Sequence, residues 1–500
     1  MLSEAGRDAA SYFWRSNMDG SAAAVIETPR MDDVLPQDLR NFPIHMVGIG
    51  GSGMCGLAAL LLRRGARVSG TDGRDGDELR RLAAAGATVS TCQAAESVPR
   101  GVQMLVKSAA VRDDHPEIVE ARRRGVCVVK YAELLGLLMA HCGEGIAISG
   151  THGKSTTAAW LSYVLRRAGR DPSFVIGAGV RQLGGGSGVG DSPYFVAEAC
   201  EYDRSFLNLR PRRAAILNIE EDHLDYYADI NDITAAFREF AAGIPESGLL
   251  VTNADDPHCR AVADARNGRV QLFGRGAAAE WRAVDVTREN GTYAFVGCRG
   301  TERLGRVVLT IPGRHNVDNA LAVIALAHDC GLSWDAIAPP LAEFCGAQRR
   351  LELRGEIGGV RIVDDYAHHP TEIRVTLLAA RERYHPRELW CIFQPHQHSR
   401  TRFLMGHFAQ SFSQADHVIV PDIYFVRDSQ RDRELVCAAD LVEQIRARGA
   451  AAEYLPDFGG IVERVAKDVQ PGDVVMTMGA GNVWMVADEL LARLRSDLPG

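Results

Sequence analysis

Eleven cysteines are scattered through the 500 residues, yet no two of them form a C-x-x-C pair. That absence argues against a structural zinc site and a dithiol redox centre, which both need closely spaced thiols. Odd in number and set among apolar neighbours, these cysteines read as the reduced thiols of a cytoplasmic protein. No apolar run reaches the ~18 residues of a membrane-spanning helix. The first forty residues carry acids throughout and lack an apolar stretch behind a basic start, so no signal peptide is expected. Basic excess is missing too. A formal net charge of -8 opposes a nucleic-acid-binding face, although a local cluster of arginines could still hold small anions. No internal repeat is evident.

What the sequence does have is an alternation of apolar strands, glycine turns and helix patterns. The length exceeds what one core can serve, so two to four domains are expected. Three segments start in the same way: "FPIHMVGIGGSGMCGLAALLLRRGARVSGTD" from Phe42, "GIAISGTHGKSTTAAWL" from Gly145, and "GVRIVDDYAHHPTEIRVTLLAA" from Gly359. Strands alternating with amphipathic helices predict parallel sheets covered on both faces. The expected class is α/β, with domains at 42–140, 141–348 and 349–500 behind a mobile extension, 1–41. The stretch from Gly177 to Gly190 holds seven glycines in fourteen residues and is expected to be a flexible surface loop.

Two glycine turns carry chemistry. Gly48, Gly50, Gly51, Ser52 and Gly53 follow a strand as G-x-G-x-x-G, and Asp72 ends the next strand. Such a turn lets backbone amides close on a diphosphate, and an acid placed like Asp72 can accept a ribose hydroxyl. NAD, FAD and a UDP-sugar all satisfy it, so alone it would suggest an oxidoreductase. The second turn, Gly150-Thr151-His152-Gly153-Lys154-Ser155-Thr156, suits the β and γ phosphates of a nucleoside triphosphate, with Lys154 between them and Ser155 placed to ligate magnesium. The bland alternative, a helix cap by Ser155 or Thr156, leaves the lysine unexplained. Two acid-rich strand ends, "YFVAEACEYD" and "RAAILNIEEDHLDYY", offer further metal ligands, with Glu198 and His223 as the best candidates. Helix capping or plain solvation is the competing role for His223.

Together these pieces resemble the Mur ligase family, ATP-dependent amide-forming enzymes of peptidoglycan synthesis. The likeness rests on "IHMVGIGGSGM", "SGTHGKST", "VAEACEYD", "NIEEDHLDYY", "PGRHNVDNALA", "RRLELRGE", "VDDYAHHPTEI", "FQPHQHSRT" and "MGAGN". It implies a Rossmann-like UDP-binding domain, a central P-loop ATPase-like domain and a C-terminal Rossmann-like domain. By the same resemblance the substrates are UDP-N-acetylmuramate, L-alanine and ATP, with magnesium, and the chain is a monomer or weak homodimer. Gly48, Gly50, Gly51, Ser52, Gly53, Met54, Asp72 and Ser108 would hold the UDP-sugar. Residues 150–156, Asn316, Arg350 and Asp365 would hold ATP, with Ser155, Glu198 and His223 on the metal. His368, His369 and Arg400 would form the amino-acid pocket, Arg400 as partner of the alanine carboxylate and a histidine as base. Two departures stand out: Cys200 sits where an acid is expected, and Gln397-His398 replaces an Arg-aromatic pair. The competing readings are a nicotinamide oxidoreductase, a ligase that adds a preformed peptide to the same sugar nucleotide, and a nucleotide-gated sensor without catalysis.

Overall fold

Buried residues run without alternation through β1 (Pro43–Val47), so that strand is covered on both faces, as parallel sheets require. In the computed structural model, which describes residues 34–426 and 428–497, β1 lies at the centre of the first of three sheets. Its neighbours are β2 (Arg67–Thr71), β3 (Thr88–Ser90), β4 (Met104–Lys107) and β5 (Cys127–Lys130), all parallel, in the order β3-β2-β1-β4-β5. The order reverses between β1 and β4. The glycine turn into α1 (Ser52–Arg63) therefore sits at a topological switch point, where α/β sheets bind ligands.

The central sheet has ten strands. Its parallel body is β6 (Glu144–Ser149), β7 (Ser173–Val175), β9 (Tyr194–Glu198), β10 (Arg213–Ile216), β11 (Leu249–Asn253) and β12 (Arg269–Gly274), with β8 (Ser187–Gly188) antiparallel at one edge. A three-stranded ribbon of β13 (Trp281–Glu289), β14 (Thr292–Arg299) and β15 (Glu302–Val308) extends the other edge. The order is β15-β14-β13-β12-β11-β10-β6-β9-β7-β8, so β6 and its turn into α2 (Lys154–Arg167) lie between β10 and β9. Helix α3 (His315–Asp329) packs on this sheet and is buried along most of its length. The third sheet runs β16 (Glu352–Ile357), β17 (Val360–Asp365), β21 (Val474–Met478), β18 (Leu389–Phe393), β19 (His417–Val420), β20 (Ala452–Tyr454), with β16 antiparallel and the rest parallel. Helices α4 (Pro370–Tyr384) and α5 (His398–Phe403) follow β17 and β18.

Two expectations need correction or limits. Residues 1–33 of the expected extension lie outside the described residues, but Leu35 and Leu39 are buried in the core that also holds β1, because they cap its apolar end. The glycine-dense stretch is packed, not an open loop: Ser187–Gly188 pairs with Phe174–Val175, and a Cβ on Gly190 would stand 1.9 Å from the Asp171 carbonyl oxygen. Gly186 and Gly190 serve close backbone approach. The first and central sheets share one apolar cluster, whereas the third sheet keeps its own on each face, with Leu224 as the central sheet's partly buried contribution.

Candidate active site

At the end of β6 the backbone turns through Gly150 (φ +133) and Gly153 (φ +83), conformations that favour glycine. A Cβ on Gly150 would lie 3.0 Å from the Leu217 amide nitrogen, so the turn presses directly on the loop after β10. Asn218 clips it there: its Oδ1 accepts from the His152 amide at 2.7 Å and its Nδ2 donates to the His152 carbonyl at 3.2 Å. Lys154 begins α2 and folds back on its own turn. Its Nζ donates to the carbonyls of Gly150 (2.6 Å) and Thr151 (2.9 Å) and pairs with Glu201 at 2.9 Å. Burial works against this ammonium, but Glu201 outweighs it and raises its pKa.

Glu198, the last residue of β9, accepts from the Gly177 amide at 2.6 Å and from the Ser155 hydroxyl. Burial pushes its carboxyl up, against the pull of these donors and of Arg350 and Lys154. Ser155 and Glu198 thus set two hard oxygens side by side, a donor set that fits magnesium. His223, the other expected metal ligand, follows β10. Held at φ 54, it rests on Tyr202 with ring centroids 4.9 Å apart, and Arg400 Nη2 approaches its Nδ1 at 3.4 Å. Asp222 Oδ2 lies 3.7 Å from its Nε2. Among the described residues, the group of three His, Cys, Asp or Glu side chains that gathers within 4.8 Å is His152, Glu220 and His369. Both nitrogens of His369 are engaged there: Nδ1 accepts from the Thr371 amide (3.3 Å) and Nε2 donates to the Glu221 carbonyl (3.0 Å). It caps α4 and ties it to the central domain.

Beside the phosphate turn lies a cavity of about 470 Å³, walled by the central and third domains; His152, Gly153, Thr156, Asn316, Arg350 and Asp365 line it. Asn316, near the start of α3, donates to the Pro312 carbonyl (2.6 Å) and accepts from Asn319 (2.9 Å). Arg350 is aimed by its neighbours, since Arg349 (φ 56) and Leu351 (φ 48) both take the left-handed conformation and its guanidinium sits 5.3 Å from the Tyr366 ring centre. Asp365 accepts from the Leu351 amide at 2.6 Å and the Ala367 amide at 2.7 Å, and burial pushes its carboxyl up to about 6. Two acids the sequence reading left without a role complete the wall. Glu372 accepts from His152 (3.1 Å) and from the amides of His368 and His369, while Glu220 accepts from Thr371 Oγ1 at 2.6 Å. Burial would lower His152, but Glu220 and Glu372 outweigh it and bring its pKa to about 9. The helix-start pattern H-H-P-T-E signalled Glu372 as a capping residue, not as a partner for another domain.

Arg400 is buried, and its Nε reaches Asp222 of the central domain at 2.9 Å. Against the cost of burial, that guanidinium holds Asp222 well below the usual carboxylate range. The guanidinium expected to meet a substrate carboxylate thus also bridges two domains through Asp222, and its Nη1 lies 3.4 Å from His396 Nδ1. His368 Nδ1 faces the Tyr366 carbonyl at 3.1 Å, which places the proton there and leaves Nε2 as the basic nitrogen. Burial lowers that ring to about 3, too weak a base for an alanine ammonium. Gln397 (φ 71) is buried, with neither carboxamide atom hydrogen-bonded.

In the first domain the glycine turn meets Ser108, which follows β4: a Cβ on Gly48 would stand 3.0 Å from the Ser108 Cβ. Gly50, Gly51 and Gly53 lie at the same switch point, with Ser52 opening α1. Asp72 Oδ2 accepts from the Gly50 amide at 2.9 Å and Oδ1 from the Arg74 amide at 3.2 Å, so its carboxylate pins the turn where a ribose contact was expected. The Met54 side chain is buried in the apolar core.

Family models cover most of the chain: "Mur ligase family, catalytic domain" matches 43–142, "Mur ligase middle domain" 148–327, and "Mur ligase, glutamate ligase domain" 349–481. A UDP-N-acetylmuramate–L-alanine ligase of Acetivibrio thermocellus is 41% identical over 450 residues, 90% of this chain and 95% of that protein. Among solved structures, a UDP-N-acetylmuramate-alanine ligase from Thermotoga maritima aligns with TM-score 0.78 and 27% identity, covering 91% of this chain and all of that one (100%). A murein peptide ligase from Psychrobacter arcticus aligns with TM-score 0.71 and 25% identity over 92% of this chain and 100% of that one. The chain belongs to the Mur ligase family.

Proposed function

We propose that this chain joins L-alanine to the lactyl carboxylate of UDP-N-acetylmuramate, cleaving ATP to ADP and phosphate, as a step of peptidoglycan precursor synthesis. The observation that carries this reading is the convergence, around the carboxyl ends of β6, β9 and β10, of Lys154, Glu198 and the Asp222–Arg400 pair, drawn from two domains. Residues 42–140 hold the UDP-sugar, 141–348 hold ATP, and 349–500 close over both. The enzyme works in the cytoplasm, as a monomer or weak homodimer; among the described residues no helix is long and apolar enough to cross a membrane.

The chemistry follows from charge. A carboxylate and an ammonium do not condense in water because oxide is too poor a leaving group. Phosphorylating the carboxylate makes an acyl phosphate whose phosphate leaves readily. Both reactants are anions, so Lys154 must leave Glu201 and the turn carbonyls to stand between transferring phosphates. Magnesium, held by Ser155 and Glu198, supplies further screening when bound. In-line placement lowers the barrier by roughly 7–11 kcal/mol in the best-oriented cases. With His368 lowered to about 3 and the nitrogens of His369 taken, an oxygen of the acyl phosphate is the better acceptor for the alanine proton. Closure of the third domain excludes the water that would hydrolyse the intermediate.

The test is phosphate release with UDP-N-acetylmuramate, ATP and magnesium, run with L-alanine, serine, glycine or a tripeptide. Alanine-dependent release, with oxygen-18 passing from the labelled sugar acid into phosphate, is the expected result. Absence of both rejects the reading, and preference for the tripeptide assigns the peptide-adding reaction instead.

A further inference from the structure

We propose that Arg74 and Tyr424 form a latch through which occupancy of the first-domain glycine turn positions the segment that carries Arg400. The inference rests on the ligase reading for what the two ends bind. Arg74 Nη1 donates to the Tyr424 hydroxyl at 2.7 Å, joining the first domain to the third across 350 residues of sequence. At the Arg74 end, the backbone amides of Arg74 and Gly50 share the Asp72 carboxylate, so the turn that would meet a diphosphate and the residue that reaches the third domain are held by one side chain.

The other end is equally constrained. The Tyr424 amide donates to the Pro395 carbonyl at 2.8 Å, and its carbonyl accepts from the Gln397 amide at 3.1 Å. Its ring stacks on His396 with centroids 5.5 Å apart and planes 14° apart. A Cβ at Gly481 would stand 2.9 Å from ring atoms, so the ring is also packed against that glycine. His396 in turn meets Arg400 Nη1 at 3.4 Å, and Arg400 meets Asp222. Tyr424 thus cannot shift without moving Pro395–Gln397 and the start of α5. Displacement of the 72–74 turn by a bound diphosphate reaches Arg400 by contact alone, through packed and hydrogen-bonded groups. Spatial continuity does not establish coupling, so the latch is read by its energetics.

Three variants test it: Arg74→Met, Tyr424→Phe, which keeps the ring stack, and the double variant. Each single change is expected to raise the alanine KM by about three- to tenfold at saturating ATP, and the double variant to be no worse than either single one. An unchanged alanine KM, or effects that multiply in the double variant, overturns the latch. A second measurement needs no turnover. Hydrogen exchange of backbone amides at 396–401 is expected to slow when UDP-N-acetylmuramate is added to the unaltered chain, and not in Arg74→Met; equal protection in both overturns it. A chain that makes no amide product yet shows this exchange pattern would refute the ligase reading and keep the latch.

Discussion

Lys154 stands in a sequence where lysine occurs at positions 107, 130, 154 and 467 alone and arginine supplies the other basic residues. A compact ammonium can enter a narrow turn and be shared among phosphate oxygens, which a planar guanidinium cannot do as well. Its three donors are spent on two carbonyls and Glu201, itself only 3% exposed. Lys154→Ala is therefore expected to cost turnover by about a hundredfold or more. It is also expected to lower stability, because an unpaired buried carboxylate costs about 3–5 kcal/mol when its partner is removed. Adding Glu201→Gln should restore the melting temperature while turnover stays lost. A double variant that regains turnover would show that Lys154 serves the fold and not the phosphates. The lysine was legible from its glycine context. Its partner was not, since Glu201 is one of several acids after β9 and the chain path alone selects it.

At the scale of elements, a glycine can serve its backbone conformation, the space its missing Cβ leaves, or both. Gly150 both adopts φ +133 and leaves no room for a Cβ beside the Leu217 and Asn218 amides, whereas Gly169, at φ +75 after α2, meets nothing within 4 Å. Gly150→Ala is expected to destabilise the chain by about 1–3 kcal/mol and to remove nearly all turnover. Gly169→Ala carries the conformational strain alone, about 1 kcal/mol, with turnover kept. Thermal unfolding and initial rates on the two variants check this, and equal losses in both would contradict it. The left-handed residues Arg349 and Leu351 belong to the same scale. Neither is glycine, so the sequence offered no hint of the turn that aims Arg350 into the cavity.

Across the whole molecule, the first and central domains share an apolar core, while the third is joined to the central one largely by polar contacts: His152–Glu372, Thr371–Glu220, His369–Glu221 and Arg400–Asp222. Polar joints of this kind open and reform more readily than a shared core, which suits a domain that must admit ligands and then close. The joint at His152 gives a pH signature. Its folded pKa is raised from 6.5 to about 9, so its contribution is complete below 6.5 and is lost as pH rises through about 9. The melting temperature of the unaltered chain should therefore exceed that of His152→Gln at pH 6, with the gap closing by pH 9.5. A gap that widens towards alkaline pH would reverse the sign and refute a charged His152.

The sequence by itself determined the α/β class, the two glycine turns and the residues whose chemistry depends on local spacing, because strand-turn-helix signals are written within about thirty residues. Six of the residues it named for ATP line one cavity. Only the tertiary structure decided which donors are already occupied. It paired Arg400 with Asp222, gave His369 to a helix cap, turned Asp72 back onto its own glycine turn and buried Met54. Those outcomes depend on groups that approach through space from distant segments. A titratable or hydrogen-bonding side chain takes its role from whichever partner the packing brings within reach.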